Sequence, residues 1–465
     1  MPGALEGIRI VDLTNIILGP YGTMLLADQG ADVIKVEAPE GDAVRHIGKP
    51  GKTPGMGPTY LYVNRNKRSL CLDLKNPAAR AALLKVVEGA DAFVHALRPQ
   101  AIEGLGLGYE AIRKIKPDIV YVGAYGFSAD GPYGKLPAYD DAIQARFGIA
   151  HLMGQAAGDD VPRYPPTILA DKTVGLTFAF ATLSALMHRQ RTGEGQFVEV
   201  PMFETMAAWL MVEHLWERTF SDEGEVGYSR LLARTRKPFR TLDGWMAILP
   251  YNDEHWSNFF EIVGRPEVLK DPRYSTLNAR SLHINDMYAM VEALAPSRTT
   301  AEWVKLLDKA QIPNAPVSRP ADLFDDPHLV WRQLFKKYPH PSEGEIMMVE
   351  PPMRMSRTPP AMHHGAAAGR PFARRPGRGG RGRGRDRGAE EGRGAHRADV
   401  KILVPPLRLR RGGARAAGGG VMAQQRWRSD PSGLRPPPHF VGRKDSTRRP
   451  PVRPPPDPRA PHRPT

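Results

Sequence analysis

Residues 5–42 read LEGIRIVDLTNIILGPYGTMLLADQGADVIKVEAPEGD, and their punctuation decides the fold. Gly7 to Leu13 is a short run rich in β-formers. Gly19-Pro20 interrupts it, and Tyr21 to Asp28 has a helical pattern. Gly30-Ala31-Asp32 then opens a second run, Val33 to Glu37. Two strands separated by a short helix pair in parallel, so the segment reads as β-α-β. Glu37 ends the second strand, where a dinucleotide-binding fold places its ribose-binding acid. The turn after the first strand is Thr14-Asn15-Ile16-Ile17-Leu18-Gly19-Pro20, without G-x-G-x-x-G, which argues against NAD. The alternative for Glu37 is a solvated strand end.

The alternation continues outward. Strands are expected at Ala92–His95 and Ile119–Val122, each after a helix, Ala78–Glu88 and Tyr109–Lys116. This is the pattern of an open α/β domain, placed at residues 1–224. Asp171 to His188 is apolar nearly all round, which implies a helix buried on most faces. A strand, Phe197–Val200, and a helix, Phe203–Glu217, follow. After a basic, irregular stretch at Leu231–Phe239 come a strand at Gly244–Leu249, a helix at His255–Val263 and a helix at Ala301–Lys309. The last begins at Thr299 and Glu302, a capping-box pattern. These form a smaller α+β domain at 225–320, and 321–360 is a segment returning to the large domain.

Charge divides the chain again. Of 465 residues, 361–465 hold 25 Lys+Arg against 7 Asp+Glu, a surplus of 18 that leaves 1–360 at −3 within the overall +15. This stretch also holds 16 of the 46 prolines. An Arg/Gly/Pro-rich composition cannot build a core, so 361–465 is expected to be disordered. It reads either as a nucleic-acid-binding tail or as sequence translated out of frame; the scarcity of aromatics for stacking weighs against nucleic acid. Cys71 is the only cysteine, so no internal disulfide forms. The N-terminus lacks the basic and apolar regions of a signal peptide, and no apolar stretch is long enough for a bilayer. A soluble cytoplasmic protein without membrane association is expected.

Three constellations could carry chemistry. Asn64-Arg65-Asn66-Lys67-Arg68 precedes Ser69-Leu70-Cys71-Leu72-Asp73-Leu74-Lys75; its bases suit the phosphates of an anionic cofactor or structural ion pairs, and composition favours the latter. Tyr139 and Asp140 stand before a helix, where an Asp either caps or faces a pocket. Asp171 precedes the long apolar helix. Its local sequence favours an N-cap, a position that also favours the carboxylate over the acid and keeps a nucleophile ionised at neutral pH. No His/Cys cluster indicates a metal.

Eight segments in order resemble class III CoA-transferases, the CaiB/BaiF family. They are residues 5–42 above, NRNKRSLCLDLK (64–75), RPQAIEGLGLGYE (98–110), GPYGKLPAYDDAIQA (131–145), ILADKTVGL (168–176), HRQRTGEGQFVEVPMFE (188–204), KPFRTLDGWMAILP (237–250) and IPNAPV (312–317). The resemblance covers about residues 5–358. It implies a Rossmann-like large domain with a parallel sheet, a smaller α+β domain, and a homodimer whose chains interlock. It assigns Asp171 as the nucleophile that exchanges CoA between carboxylic acids through a mixed anhydride and an aspartyl-CoA thioester. CoA contacts map to Ile17, Leu18, Leu72, Asp73, Lys75, Leu97 and Arg98, and the acyl pocket to Tyr139 and Asp140. Coenzyme A enters as a thioester substrate, with no tightly bound cofactor and no metal.

The sequence departs from the family pattern in places. Ala38, Ala96, Gly104 and Pro137 stand where some members carry an arginine, an asparagine, a base and a lysine. A C-terminal leucine-glycine-glutamate-histidine-threonine-like motif is missing. A 2-methylacyl-CoA racemase shares this fold but pairs its Asp with a His ahead of a second Asp; here Tyr139 precedes Asp140, which favours transfer. The Gly-rich loop of formyl-CoA:oxalate enzymes is not visible between 225 and 270. A further alternative is a tail-mediated nucleic-acid-binding protein on an inactive scaffold.

Overall fold

A computed structural model describes residues 3–49 and 51–362; the expectations for the Arg-rich stretch fall, from residue 363 onward, outside the described residues. Strands β1 (Arg9–Leu13), β2 (Asp32–Glu37), β3 (Arg68–Cys71), β4 (Ala92–His95), β5 (Val120–Tyr125) and β6 (Gln196–Pro201) form one six-stranded sheet. Its order is β3-β2-β1-β4-β5-β6 and every neighbouring pair is parallel. The chain first builds outward from β1 to β3, then crosses to β4 on the other side of β1. That reversal is the topological switch point, where parallel α/β sheets hold ligands beyond their carboxyl ends.

Helices cover both faces, as the nearly continuous apolar strands require. In chain order they are α1 (Leu18–Asp28), α2 (Pro58–Val63), α3 (Pro77–Val87), α4 (Pro99–Gly104), α5 (Tyr109–Ile115), α6 (Asp140–Arg146), α7 (Ile149–Ala157), α8 (Leu169–Thr192) and α9 (Met202–His214). Side chains alternate across the strands. Ile10, Val33, Val94 and Val122 pack with Leu26 of α1, Phe178 of α8 and Met206 of α9. Val11, Val36, Phe93 and Tyr121 face the other way, onto Leu83 of α3, Ile102 of α4 and Ile112 of α5.

Helices α1 and α8 meet backbone to backbone. A Cβ on Gly175 would lie 2.8 Å from the Leu18 carbonyl oxygen, and one on Gly22 would lie 2.7 Å from the Gly175 carbonyl oxygen. Only glycine at both positions permits this approach. Helix α8 departs from the expected all-round burial. Leu176, Phe180, Leu183 and Met187 recur at helical spacing and are 52 %, 71 %, 37 % and 56 % exposed. The apolar run serves the sheet on one face only, and the other face has no cover among the described residues.

A second core is built from residues between Ala233 and Ile312. Strands β7 (Phe239–Arg240), β8 (Trp245–Ile248) and β9 (Asn314–Pro316) form an antiparallel sheet. Helices α10 (Asp253–Ile262), α11 (Leu277–Leu282), α12 (Ile284–Leu294) and α13 (Thr300–Lys309) accompany it. Trp256, Phe259, Met287, Trp303 and Leu307 fill the space. The capping box at Thr299 and Glu302 forms as read from the sequence. Strands β10 (Phe335–His340) and β11 (Gly344–Val349) make a hairpin that the sequence reading did not anticipate. It is tied to the N-terminal half, where Arg65 Nη1 donates to the Val349 carbonyl at 2.7 Å.

Candidate active site

Asp171 is the third residue of α8, not its N-cap. Ile168 occupies the cap and makes no side-chain capping bond. The Asp171 carboxyl is therefore free of that duty, and the expected cap is corrected. Asp140 supplies a cap from outside: its Oδ1 accepts the Asp171 backbone N–H at 2.9 Å. Asp140 opens α6 and is itself buried, and its Oδ2 accepts from Gln144 Nε2. Gln144 Nε2 also reaches the Thr167 carbonyl at 3.3 Å. The starts of α6 and α8 are thus pinned to each other.

Asp171 is only 9 % exposed. Burial, reinforced by the negative charges of Asp140 and Asp141, pushes its pKa from 3.8 up to about 7. The expectation of a carboxylate fully ionised at neutral pH is corrected accordingly. The partial positive charge at the start of α8 favours ionisation, but removal from water outweighs it.

The turn leading into α1 is held under strain. Ile16 adopts φ 62°, a left-handed conformation that a β-branched side chain resists. A buried clamp keeps it there. Asp42 Oδ1 accepts the Ile16 N–H at 3.1 Å, and Lys35 Nζ binds Asp42 Oδ2 and the Thr14 carbonyl, each at 2.8 Å. Ile17 and Leu18 follow directly and are both buried. Gly175, which touches Leu18, lies one turn beyond Asp171, about 5–6 Å along α8. The crossing of α8 with α1 at Gly175 and Leu18 thus lies one turn from Asp171.

The other residues assigned to CoA by resemblance follow β3 and β4, at the same carboxyl edge of the sheet. Strand spacing places the end of β4 about 5 Å, and that of β3 about 10 Å, from the end of β1. Leu72 is buried. Asp73 Oδ1 accepts the Lys75 N–H at 3.0 Å, a turn that presents Lys75 to solvent. The Leu97 N–H donates to His95 Nδ1 at 3.3 Å, and Arg98, exposed, caps α4. Burial lowers the His95 pKa to about 4, so this ring stays a neutral acceptor. Among the described residues no ion pair engages Lys75 or Arg98, which leaves both cations for a ligand. Tyr139, at the start of α6, is 70 % exposed.

The basic run 65–68 serves the fold. Arg65 grips both oxygens of Asp28 at 3.0 and 2.7 Å, Lys67 reaches Asp12 at 3.3 Å, and Arg68 binds Asp32 at 2.8 and 2.6 Å. Arg65 and Lys67 are each 1 % exposed, so neither is presented to a phosphate. Glu37 is neither a ribose ligand nor a solvated strand end; it is buried and bound by Arg45 Nε at 2.6 Å and Nη2 at 2.8 Å. Sequence reasoning missed Gln144 and the Lys35–Asp42 clamp. The i, i+4 spacing of Asp140 and Gln144 on one helix was the available signal for the first. Among the described residues no group of acids, histidines and cysteines is arranged to hold a metal, and no helix is long and apolar enough to cross a membrane.

Comparison with known proteins follows the same lines. The profile of CoA-transferase family III matches residues 5–369. The succinyl-CoA:mesaconate CoA-transferase of Haloarcula hispanica is 35 % identical over 381 residues, covering 77 % of this chain and 92 % of that protein. The succinyl-CoA:glutarate CoA-transferase of Mus musculus is 30 % identical, covering 76 % and 81 % respectively. The crystal structure of a CaiB/BaiF family protein from Brucella suis superposes with a TM-score of 0.67 at 28 % identity, covering 79 % of this chain and 97 % of that one.

Proposed function

The chain belongs to CoA-transferase family III, and from that premise we propose that it moves CoA between carboxylic acids by the CaiB/BaiF-type route, with Asp171 as covalent nucleophile. The ionised carboxylate attacks the thioester carbon of a donor acyl-CoA, forming a mixed anhydride and expelling CoA thiolate. The thiolate attacks the aspartyl carbonyl of the anhydride, which releases the donor acid and leaves an aspartyl-CoA thioester. An acceptor carboxylate reverses the sequence and departs as the new acyl-CoA. One difficult exchange becomes a series of easier steps.

The observation that carries this reading is the setting of Asp171. Its carboxyl is buried and makes no capping bond, its N–H is fixed by Asp140, and one turn further on its helix meets α1 where Gly175 touches Leu18. Lys75 and Arg98 supply charge for the CoA diphosphate, and Ile17, Leu18, Leu72 and Leu97 its apolar contacts. Asp73 shapes the turn that presents Lys75, while Tyr139 and Asp140 border the acyl group. CoA is a substrate here, and the chemistry calls on no metal or resident cofactor. The named relatives pair succinyl-CoA with mesaconate or glutarate, which supports succinyl-CoA as donor and a short dicarboxylate as acceptor. The bare apolar stripe on α8 supports an interlocked homodimer, and we place the protein in the cytoplasm.

Incubation with succinyl-CoA, or with acetyl-CoA as a second donor, followed by hydroxylamine and peptide mass spectrometry tests the reading. A hydroxamate is expected on the peptide bearing Asp171. Folded protein that shows neither label nor turnover with any donor refutes it.

A further inference from the structure

The smaller core carries a cavity of about 290 Å³ that no residue of the candidate active site lines. Its walls include Arg230, Tyr251, Trp256, Arg280 and Tyr288, and no carboxylate is among its lining residues. Arg280 is 2 % exposed. Its terminal nitrogens serve the Tyr274 carbonyl, at 2.8 Å, and Asp253, but its Nε–H has no acceptor among the described residues. A buried cationic donor without an acceptor is costly and calls for a missing partner. Arg230 is prepared differently. Its Nε donates to the Tyr288 hydroxyl at 3.0 Å, and its guanidinium carbon lies 5.3 Å from the Tyr251 ring centre. These contacts orient the guanidinium, and its two terminal nitrogens have no acceptor among the described residues.

A fixed guanidinium with both terminal N–H groups open matches a carboxylate, which accepts two parallel hydrogen bonds. The aromatic walls suit a flat apolar body. The volume lies at the small end of ligand sites, suited to an acid rather than a nucleotide. We propose that this cavity binds the carboxylate of a small organic acid, its charge on Arg230 with the Arg280 Nε–H as a further donor, and its apolar body against Tyr251 and Trp256. The site is for binding only; no histidine, cysteine, lysine or carboxylate lines it to activate the Ser281 hydroxyl, and it does not depend on the transferase reading.

Calorimetric titration of the full chain with benzoate, acetate and inorganic phosphate, at constant ionic strength, tests this. Benzoate is expected to bind saturably and more tightly than acetate or phosphate. Because Arg280 is buried, its replacement threatens the fold, and Arg230 carries the test. Arg230→Leu should weaken benzoate at least about tenfold, the effect of losing a charge-assisted hydrogen-bonded pair, with its urea transition in place. Tyr251→Ala, a second variant, should erase the preference for benzoate over acetate. Asp171→Asn should leave benzoate affinity unchanged. The proposal is overturned by absence of saturable benzoate binding, by equal affinity in Arg230→Leu, by phosphate binding as tightly as benzoate, or by loss of the site in Asp171→Asn.

Discussion

Replacing Asp171 with asparagine should yield a protein that is inactive in transfer yet more stable than its parent, by a margin that grows with pH. In the unfolded chain the carboxyl titrates near 3.8; in the folded protein burial and Asp140 raise it to about 7. Between those values the unfolded chain has released a proton that the folded chain retains. Wild-type stability therefore falls as pH rises through this window and levels off above it. At about 1.4 kcal/mol per unit, the penalty is roughly 1.5 kcal/mol at pH 5 and roughly 4 kcal/mol at pH 8. Asparagine does not titrate, and its amide keeps the volume. Urea unfolding of both proteins at the two pH values should show the variant gaining about 2–3 kcal/mol on wild type from the lower to the higher pH. Other acids titrate alike in both proteins and cancel. A pH-independent difference would show that the Asp171 carboxyl titrates as it does in water, and the burial argument would fail.

Asp140→Asn keeps an acceptor for the Asp171 N–H but removes a neighbouring charge. The acid limb of kcat/KM for the acyl-CoA should move below about 7, and an unmoved limb would discount that charge. Gly175→Ala forces a methyl against the Leu18 carbonyl. It should cost roughly 1–3 kcal/mol in urea unfolding and raise KM, since the α1–α8 approach aligns the two halves of the site. A Cβ at Gly104 meets nothing within 4 Å. Gly104→Lys should therefore fold normally and lower KM for acyl-CoA by a fewfold through one added exposed cation; an unchanged KM would place Gly104 away from the diphosphate. Phe180 is 71 % exposed on α8. Phe180→Glu should shift light-scattering mass toward the monomer at low concentration, and an unaltered mass would show that the stripe is not covered by a second copy.

The parallel sheet was legible because its strands announce themselves locally. Ala92–His95 was read end to end, and the glycines and prolines around residues 19–31 mark α1 and β2. The hairpin at 335–349 was not, because Lys336, Lys337 and Pro339 break the apolar alternation on a two-stranded ribbon. The site was half legible. Composition shows that Arg65 and Lys67 are basic but not that they are buried. That Asp171 leans on a residue 31 positions earlier is a non-local fact with no local trace. Resemblance singled out Asp171, and only the packing revealed why burial beside Asp140 raises its pKa to about 7.

The left-handed turn at Ile16 constrains the order of events during folding. Its clamp draws on Lys35 in β2 and on Asp42 beyond it, so the turn cannot be fixed until the second strand has docked on the first. An isolated peptide from the N-terminal segment would relax Ile16 to an ordinary extended or helical conformation. The shape of this edge of the sheet is therefore completed together with the pairing of β1 and β2, and not by the turn's own residues.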